Sequence, residues 1–321
     1  RLDTVFSVPL LLAGAAMLFI GFGFKIATAP FHVWTPDVYE GAPTPVTAFM
    51  TAGPKAAGFA SFLRVFVFGF PFVTAGGFDS ALSTPASKVH AAWIGAMVLV
   101  AVLTMTIGNL VAIVQSNVKR LLAYSSIAHA GYALLGFIAA GASDDIAKRD
   151  AAVNSVIFYL LAYSIMNLGA FAIVTLLAQS NDRRNMVEDY TGIGFRAPLL
   201  SLALSLFLLS LFGMPLTAGF MGKIFVFRAA YDAGYTGLIV IAVLNTALSA
   251  YYYLRLIIVM FFRERQTEWI APRVPASITI VLVLTILGVF YLGLFPGRLV
   301  NALQTVRESI NARNTTVMIK E

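Results

Sequence analysis

Three lysines stand inside apolar sequence: Lys25 in "IGFGFKIATAP", Lys55 in "FMTAGPKAAGF" and Lys223 in "AGFMGKIFVF". A lysine at the centre of a membrane helix costs about 2.5–3.5 kcal/mol on insertion scales. A lysine deprived of water gives up its proton more readily than one in solution. Three such groups in one chain suit a proton relay, in which each alternates between charged and neutral forms. The plainer alternative for each is a snorkelling or structurally paired cation. His129, in "LLAYSSIAHAGYALLG", is the only histidine inside an apolar run. It reads either as a hydrogen-bonded packing residue or as a proton carrier that titrates near neutral pH. His32 reads as loop packing, and His90, at a helix edge, is assigned no role. Lys119 opens an apolar run, where it is expected to snorkel to the surface; Lys88 is likewise at an edge.

The carboxylates are informative by their placement. No acid lies inside an apolar run, although a relay lysine usually has an acidic partner to tune it. Asp37 and Glu40, in "WTPDVYEG", are the only acids between the first two runs. They could cap a short helix or pair with a cation; capping or fold stabilisation is the expected role.

The elements that must position these groups are helices. Eight apolar runs occur, over residues 8–29, 45–69, 89–114, 119–141, 151–178, 197–230, 236–262 and 275–296. Each meets the need for roughly 20 apolar residues to cross a ~30 Å hydrocarbon core. They are long and continuously apolar rather than alternating ten-residue segments, so they read as helices and not barrel strands. The sixth run is too long for one simple crossing. Its centre, "GMPLTAGFMGK", contains Gly213, Pro215, Gly219 and Gly222, and a break belongs there. The first run ends at Pro30 and Pro36. Two runs are therefore expected to be discontinuous, each with a lysine beside the break: Lys25 and Lys223. An opened backbone frees amide groups that need water or polar partners, so it tends to line a hydrated cavity.

The composition agrees. Of 321 residues, 59% are hydrophobic and 12% charged, with mean hydropathy +0.85, against about 25% charged residues in soluble domains. The chain reads as an all-α, polytopic membrane protein of about eight transmembrane helices, two of them broken. Its excess of basic residues does not form a nucleic-acid patch, because they sit in short loops between apolar runs. The loops after the first, third, fifth and seventh runs carry Lys119, Arg120, Arg183, Arg184, Arg196, Arg263, Arg265 and Arg273. Those after the second, fourth and sixth carry Lys88, Lys148 and Arg149. This bias places the first set on the cytoplasmic side; the basic tail at 297–321 runs against it. There is no cysteine, so no disulfide, thiolate-held zinc or iron–sulfur cluster belongs to this chain. No phosphate-binding or dinucleotide-binding glycine motif stands in the required strand–helix context. "GFGF" at 21–24 lies inside an apolar helix. No histidine–carboxylate spacing suits a metal. Asn314-Thr-Thr matches a glycosylation sequon in the tail.

"FKIATAPFHVWTPDVYEGAPTPVTAFMTAGPKAA" and "NVKRLLAYSSIAHAGYALLG" closely resemble the subunit N family of proton-pumping membrane subunits in bacterial NADH:quinone oxidoreductase (respiratory complex I), and "GMPLTAGFMGKIFVF" is similar to that family's second broken helix. Sister subunits L and M and Mrp-type cation/proton antiporters carry a related "PTPVS"-like segment, but "PFHVWTPDVYEGAPTPVT" and Lys55 fit subunit N better. The resemblance implies an antiporter-like fold of two inverted five-helix repeats, each with one broken helix. Residues 1–70 then close the first repeat, 71–262 form the second, and 263–321 add a last helix and tail. It implies a C-terminal portion of a longer subunit whose earlier helices carry the acidic partner of Lys25.

Carried over, Lys25 is the first broken-helix lysine, Lys55 the connecting lysine and Lys223 the second broken-helix lysine. His129 joins the polar axis less firmly, and Lys119 and Arg120 serve either an interface or proton transfer. The implied function is proton translocation coupled to NADH oxidation and quinone reduction in other subunits of this oxidoreductase. No redox centre, cofactor or metal is implied in this chain. The implied partners are subunits M and L, the small membrane subunits and the lipid bilayer. The implied location is the bacterial cytoplasmic (inner) membrane, as a multi-pass protein. The alternatives are a subunit of an Mrp-type cation/proton antiporter, or a structural scaffold.

Overall fold

The computed structural model describes residues 8–69, 83–178, 184–264 and 273–305. Arg183, Arg265, the sequon at Asn314 and most of the tail lie outside the described residues. All eight apolar runs are helical, and no strand occurs among the described residues. The helices are α1 (Val8–Ile26), α2 (Thr35–Gly41), α3 (Thr44–Leu63), α4 (Ser83–Ile113), α5 (Val118–Ala142), α6 (Ile146–Ala178), α7 (Ile193–Arg196), α8 (Pro198–Phe212), α9 (Ala218–Asp232), α10 (Thr236–Phe262) and α11 (Ala276–Leu294). A π-helical turn, Arg64–Gly69, extends α3.

Five of these, in α4, α5, α6, α10 and α11, are long and apolar enough to cross a membrane by length and composition. The expected eight spans therefore divide. α8 is itself short, because a break follows it. α3 carries Lys55 and a face of threonines in place of continuous apolar sequence.

α5 is the axis of the bundle. In its apolar window 94% of residues are buried inside the structure, against 28% in α11. A helix apolar all round is stable only when other helices surround it. α4, α6, α9 and α2 pack against α5, and α3, α9 and α11 pack on α6. The outward faces of α10 and α11 expose leucine, valine and phenylalanine, as a lipid-facing surface requires.

The loops after the first, third and fifth runs meet at one end of the bundle. Val118 N–H donates to Asn185 O at 2.6 Å and Val187 N–H to Ser116 O at 2.7 Å. Gly192 N–H reaches Val259 O, near the end of α10, at 3.1 Å. The same end holds α2 against α5 through Arg120, which donates to Asp37 at 2.6 Å and to Glu40 at 2.8 Å. Asn117 caps α5 with its side-chain oxygen and donates to Glu40 at 3.0 Å. The two acids thus pair with a cation. The N-cap of α2 is Trp34, with no side-chain capping bond, so of the expected roles the acids take fold stabilisation, through the ion pair with Arg120.

Candidate functional site

The second break is built by a Schellman turn. α8 ends at Phe212, and Gly213 follows at φ 101°, in the left-handed region. Met214 N–H closes on Leu209 O at 2.9 Å and Gly213 N–H on Ser210 O at 3.0 Å, the paired bonds of that motif. The motif leaves the Phe212 carbonyl free, and Lys223 Nζ donates to it at 2.7 Å. The ammonium therefore sits at the negative end of a half-helix, where a cation is favoured. α9 returns so close to α8 that a Cβ on Gly219 would lie 1.8 Å from Ser210 O. Lys223 is 4% exposed, and its Nζ lies 4.9 Å over the Tyr132 ring.

The first break follows α1 at Ala27, at φ 61°. Its backbone is held by Ala29 N–H donating to Thr104 Oγ of α4 at 2.9 Å, and by Trp34 Nε1 donating to Phe24 O at 3.0 Å. Lys25 is in the last turn of α1, not deep within it, and its side chain is exposed on this chain.

Lys55 is 3% exposed. It donates to both the backbone oxygen and the hydroxyl of Ser126 on α5, and its Nζ lies 5.5 Å over the Tyr163 ring. One turn along α5, His129 is buried among aromatic side chains. Its Nδ1 is 2.7 Å from the Tyr159 hydroxyl and its Nε2 is 3.3 Å from that of Tyr253. The Tyr253 hydroxyl also meets Ser125 Oγ at 2.5 Å. The His129 ring lies 4.9 Å from the Tyr163 ring and 5.8 Å from the Tyr132 ring. Tyr163 therefore adjoins both Lys55 and His129, and Tyr132 adjoins both His129 and Lys223. From Tyr132 the polar groups continue to Asn109 at 3.2 Å, and from Asn109 to Tyr252 at 2.9 Å and Asn245 at 3.2 Å.

The structure thus brings Lys55, His129 and Lys223 into one buried polar axis and leaves Lys25 on its outer side. Lys119 departs from expectation. It does not snorkel but is fully buried, with Nζ donating to the Ala42 carbonyl at the C-terminal end of α2 at 2.6 Å. Sequence reasoning did not single out Tyr132, Tyr159, Tyr163, Tyr253, Asn109 or Asn245. A signal was present in α6, where Tyr159, Tyr163 and Asn167 recur every four residues on one helix face.

The family model described as "NADH:quinone oxidoreductase/Mrp antiporter, TM" matches residues 2–249. The chain belongs to this family. It is 45% identical over 298 residues to NADH-quinone oxidoreductase subunit N of Trichlorobacter lovleyi, covering 93% of this chain and 56% of the relative. It is 46% identical over 295 residues to a subunit N of Sorangium cellulosum, covering 89% and 54% respectively. Among solved structures, it is similar to a chain of respiratory complex I from Thermus thermophilus at 37% identity and TM-score 0.75, covering 94% of this chain and 61% of that one. An Mrp complex from Dietzia sp. shares the fold at 20% identity and TM-score 0.75, covering 92% and 59%. The chain spans little more than half the length of the relatives it matches. Within the family it is an antiporter-like, multi-pass membrane chain.

Proposed function

We propose that this chain is part of a proton-translocating membrane subunit of NADH:quinone oxidoreductase, seated in the bacterial inner membrane beside subunits M and L and the small membrane subunits. The observation that carries this reading is the buried axis from Lys55 through His129 to Lys223. Lys55 Nζ gives its proton to Ser126 or to water beside Tyr163. Tyr159 and Tyr253 carry protons to and from His129 by exchanging hydroxyl hydrogens, and Lys223, over the Tyr132 ring, receives a proton at the break of the second broken helix. One lysine's charge repels the next, so loading one site favours emptying its neighbour. Lys25 feeds Lys55 from the outer side of the axis. In this reading NADH oxidation and quinone reduction belong to other subunits, and this chain holds no cofactor.

The test is to replace Lys55 or Lys223 by Ala in the assembled complex and to measure proton pumping and NADH oxidation in inside-out vesicles. Loss of pumping with the complex still assembled supports the relay. Normal pumping in both variants overturns it, and loss of assembly alone marks the chain as a scaffold. The family's Mrp branch supplies a second reading, cation/proton antiport. Sodium-dependent proton flux without NADH would favour it.

A further inference from the structure

At the end of the bundle opposite the paired loops, α6 begins and α9 and α11 end. A cavity of about 220 Å³ lies there, far more than the ~10–15 Å³ that a single water needs. Three elements wall it: the start of α6, the end of α9 and the helical residues 296–305 that follow α11. Asn154 of α6 lines the cavity and is 8% exposed. Its amide makes no hydrogen bond to another described residue. A buried amide left in this way is costly unless a polar ligand or water meets it.

The cavity sits at the depth of lipid headgroups. α6 has 33 residues, which at 1.5 Å each span about 50 Å, against a hydrocarbon core of ~30 Å. Shared between the two ends, the excess is about 10 Å at each. Asn154 is about 12 Å from the start of α6, at the boundary between headgroups and acyl chains. Lys148, Arg149 and Asp150 fill the turn before it, and the apolar run starts directly after them.

The lining pairs opposite charges beside apolar surface. Arg228 Nε and Asp232 Oδ2, one turn apart on α9, are 3.9 Å from each other. A pair this long and this exposed contributes little by itself, so both charges remain available to a ligand. Gln304 adds a second amide. Phe225 and Val300 line the same cavity and pack on the core.

We propose that this cavity binds the headgroup of a zwitterionic phospholipid, phosphatidylethanolamine. The Arg228 guanidinium takes the phosphodiester, for which its fork of donors is suited. The Asp232 carboxylate takes the primary ammonium. Asn154 and Gln304 donate to phosphate or ester oxygens, and the first acyl carbons lie against Phe225 and Val300. A choline headgroup has no N–H to give Asp232, and a glycerol headgroup has no cation. The inference rests on the placement of the chain in a membrane and is independent of the proton relay.

The test uses the full-length protein in its native assembly, reconstituted in vesicles. Photoactivatable phosphatidylethanolamine, phosphatidylcholine and phosphatidylglycerol, each with the reactive group on an early acyl carbon, are the probes. Adducts are mapped by mass spectrometry of this chain's peptides. The ethanolamine probe should label the segments 225–232 and 300–304 about tenfold more than the choline and glycerol probes. Arg228→Gln should remove labelling by the ethanolamine probe. Asp232→Asn should keep labelling and lose the preference for ethanolamine, and Asn154→Leu, which fills the cavity, should exclude all three probes. Labelling is compared per assembled complex, so a variant that assembles poorly is still read. Equal labelling by the three probes in the parent would overturn the proposal, as would labelling of neither segment, the result expected if another subunit covers the cavity. Full displacement of the ethanolamine probe by soluble phosphoethanolamine would reassign the cavity to a free phosphate ester and overturn it too.

Discussion

The ammonium of Lys223 donates to the carbonyl of Phe212 at 2.7 Å, across the gap between the two halves of one broken helix. The Schellman turn at Gly213 turns that carbonyl loose, and the lysine takes it up. The break and the charge are one construction, since an intact helix would consume the carbonyl in its own hydrogen-bond ladder.

That relationship separates two substitutions. Lys223→Arg keeps a donor for the Phe212 carbonyl but stays protonated, so the protein should assemble and fail to pump. Lys223→Met should fail on both counts, leaving a buried carbonyl unpaired at a cost of about 1–3 kcal/mol. Pumping in vesicles and thermal unfolding in detergent, measured together, check this. A pumping Arg variant would show that Lys223 serves as a fixed charge.

The two glycines of the break should behave differently. Gly213 needs its left-handed backbone, so Gly213→Ala should cost about 1–2 kcal/mol, with Gly213→Asn milder. A methyl on Gly219 would meet Ser210 O at 1.8 Å. Gly219→Ala should therefore push α8 and α9 apart and prevent assembly, read as the amount of complex recovered from membranes. An assembled, fully active Gly219→Ala variant would show that the break has room to widen.

His129 tests whether the centre of the axis must take up a proton. His129→Gln retains hydrogen bonding toward Tyr159 and Tyr253 but cannot titrate, so pumping should fall at least tenfold, about 1.4 kcal/mol on the barrier. Tyr159→Phe removes the 2.7 Å partner of Nδ1 and should lower pumping less, because Tyr253 remains. If His129→Gln pumps normally, the histidine is a packing residue.

The Arg120 cluster predicts a small, salt-sensitive effect on stability. Asp37 is 73% exposed and Glu40 39%, and exposed pairs contribute about 0–1 kcal/mol. Asp37→Ala should be nearly silent. Glu40→Ala should cost more, since Glu40 also accepts from Asn117. Thermal unfolding at low and high ionic strength checks the order, and salt should shrink the difference.

Much of this was legible before any coordinates. The run 197–230 was too long for one crossing and broke at Gly213, the position its glycines and proline indicated. Lys55, Lys223 and His129 stood out because charge and imidazole are rare in apolar sequence. Asp37 and Glu40 were visible but not their partner, because Arg120 lies more than 79 residues further on and only folding joins them. The tyrosines do not stand out in the sequence, because a tyrosine in an apolar run is ordinarily a packing residue. Their hydroxyls acquire a role only when α5, α6 and α10 set them around His129.

The sequence by itself determined the helices, the two breaks and the residues too costly to bury without a reason, since each follows from the local chemistry of apolar runs, glycine, proline and charge. The tertiary structure decided which of those residues act together. Packing around α5 brought Lys55, His129 and Lys223 together through the rings of Tyr163 and Tyr132. It left Lys25 on the outer side of α1 and buried Lys119 against the end of α2. Hydrogen bonds reach only about 3 Å, and which side chains come within that reach is fixed by how helices distant in sequence cross.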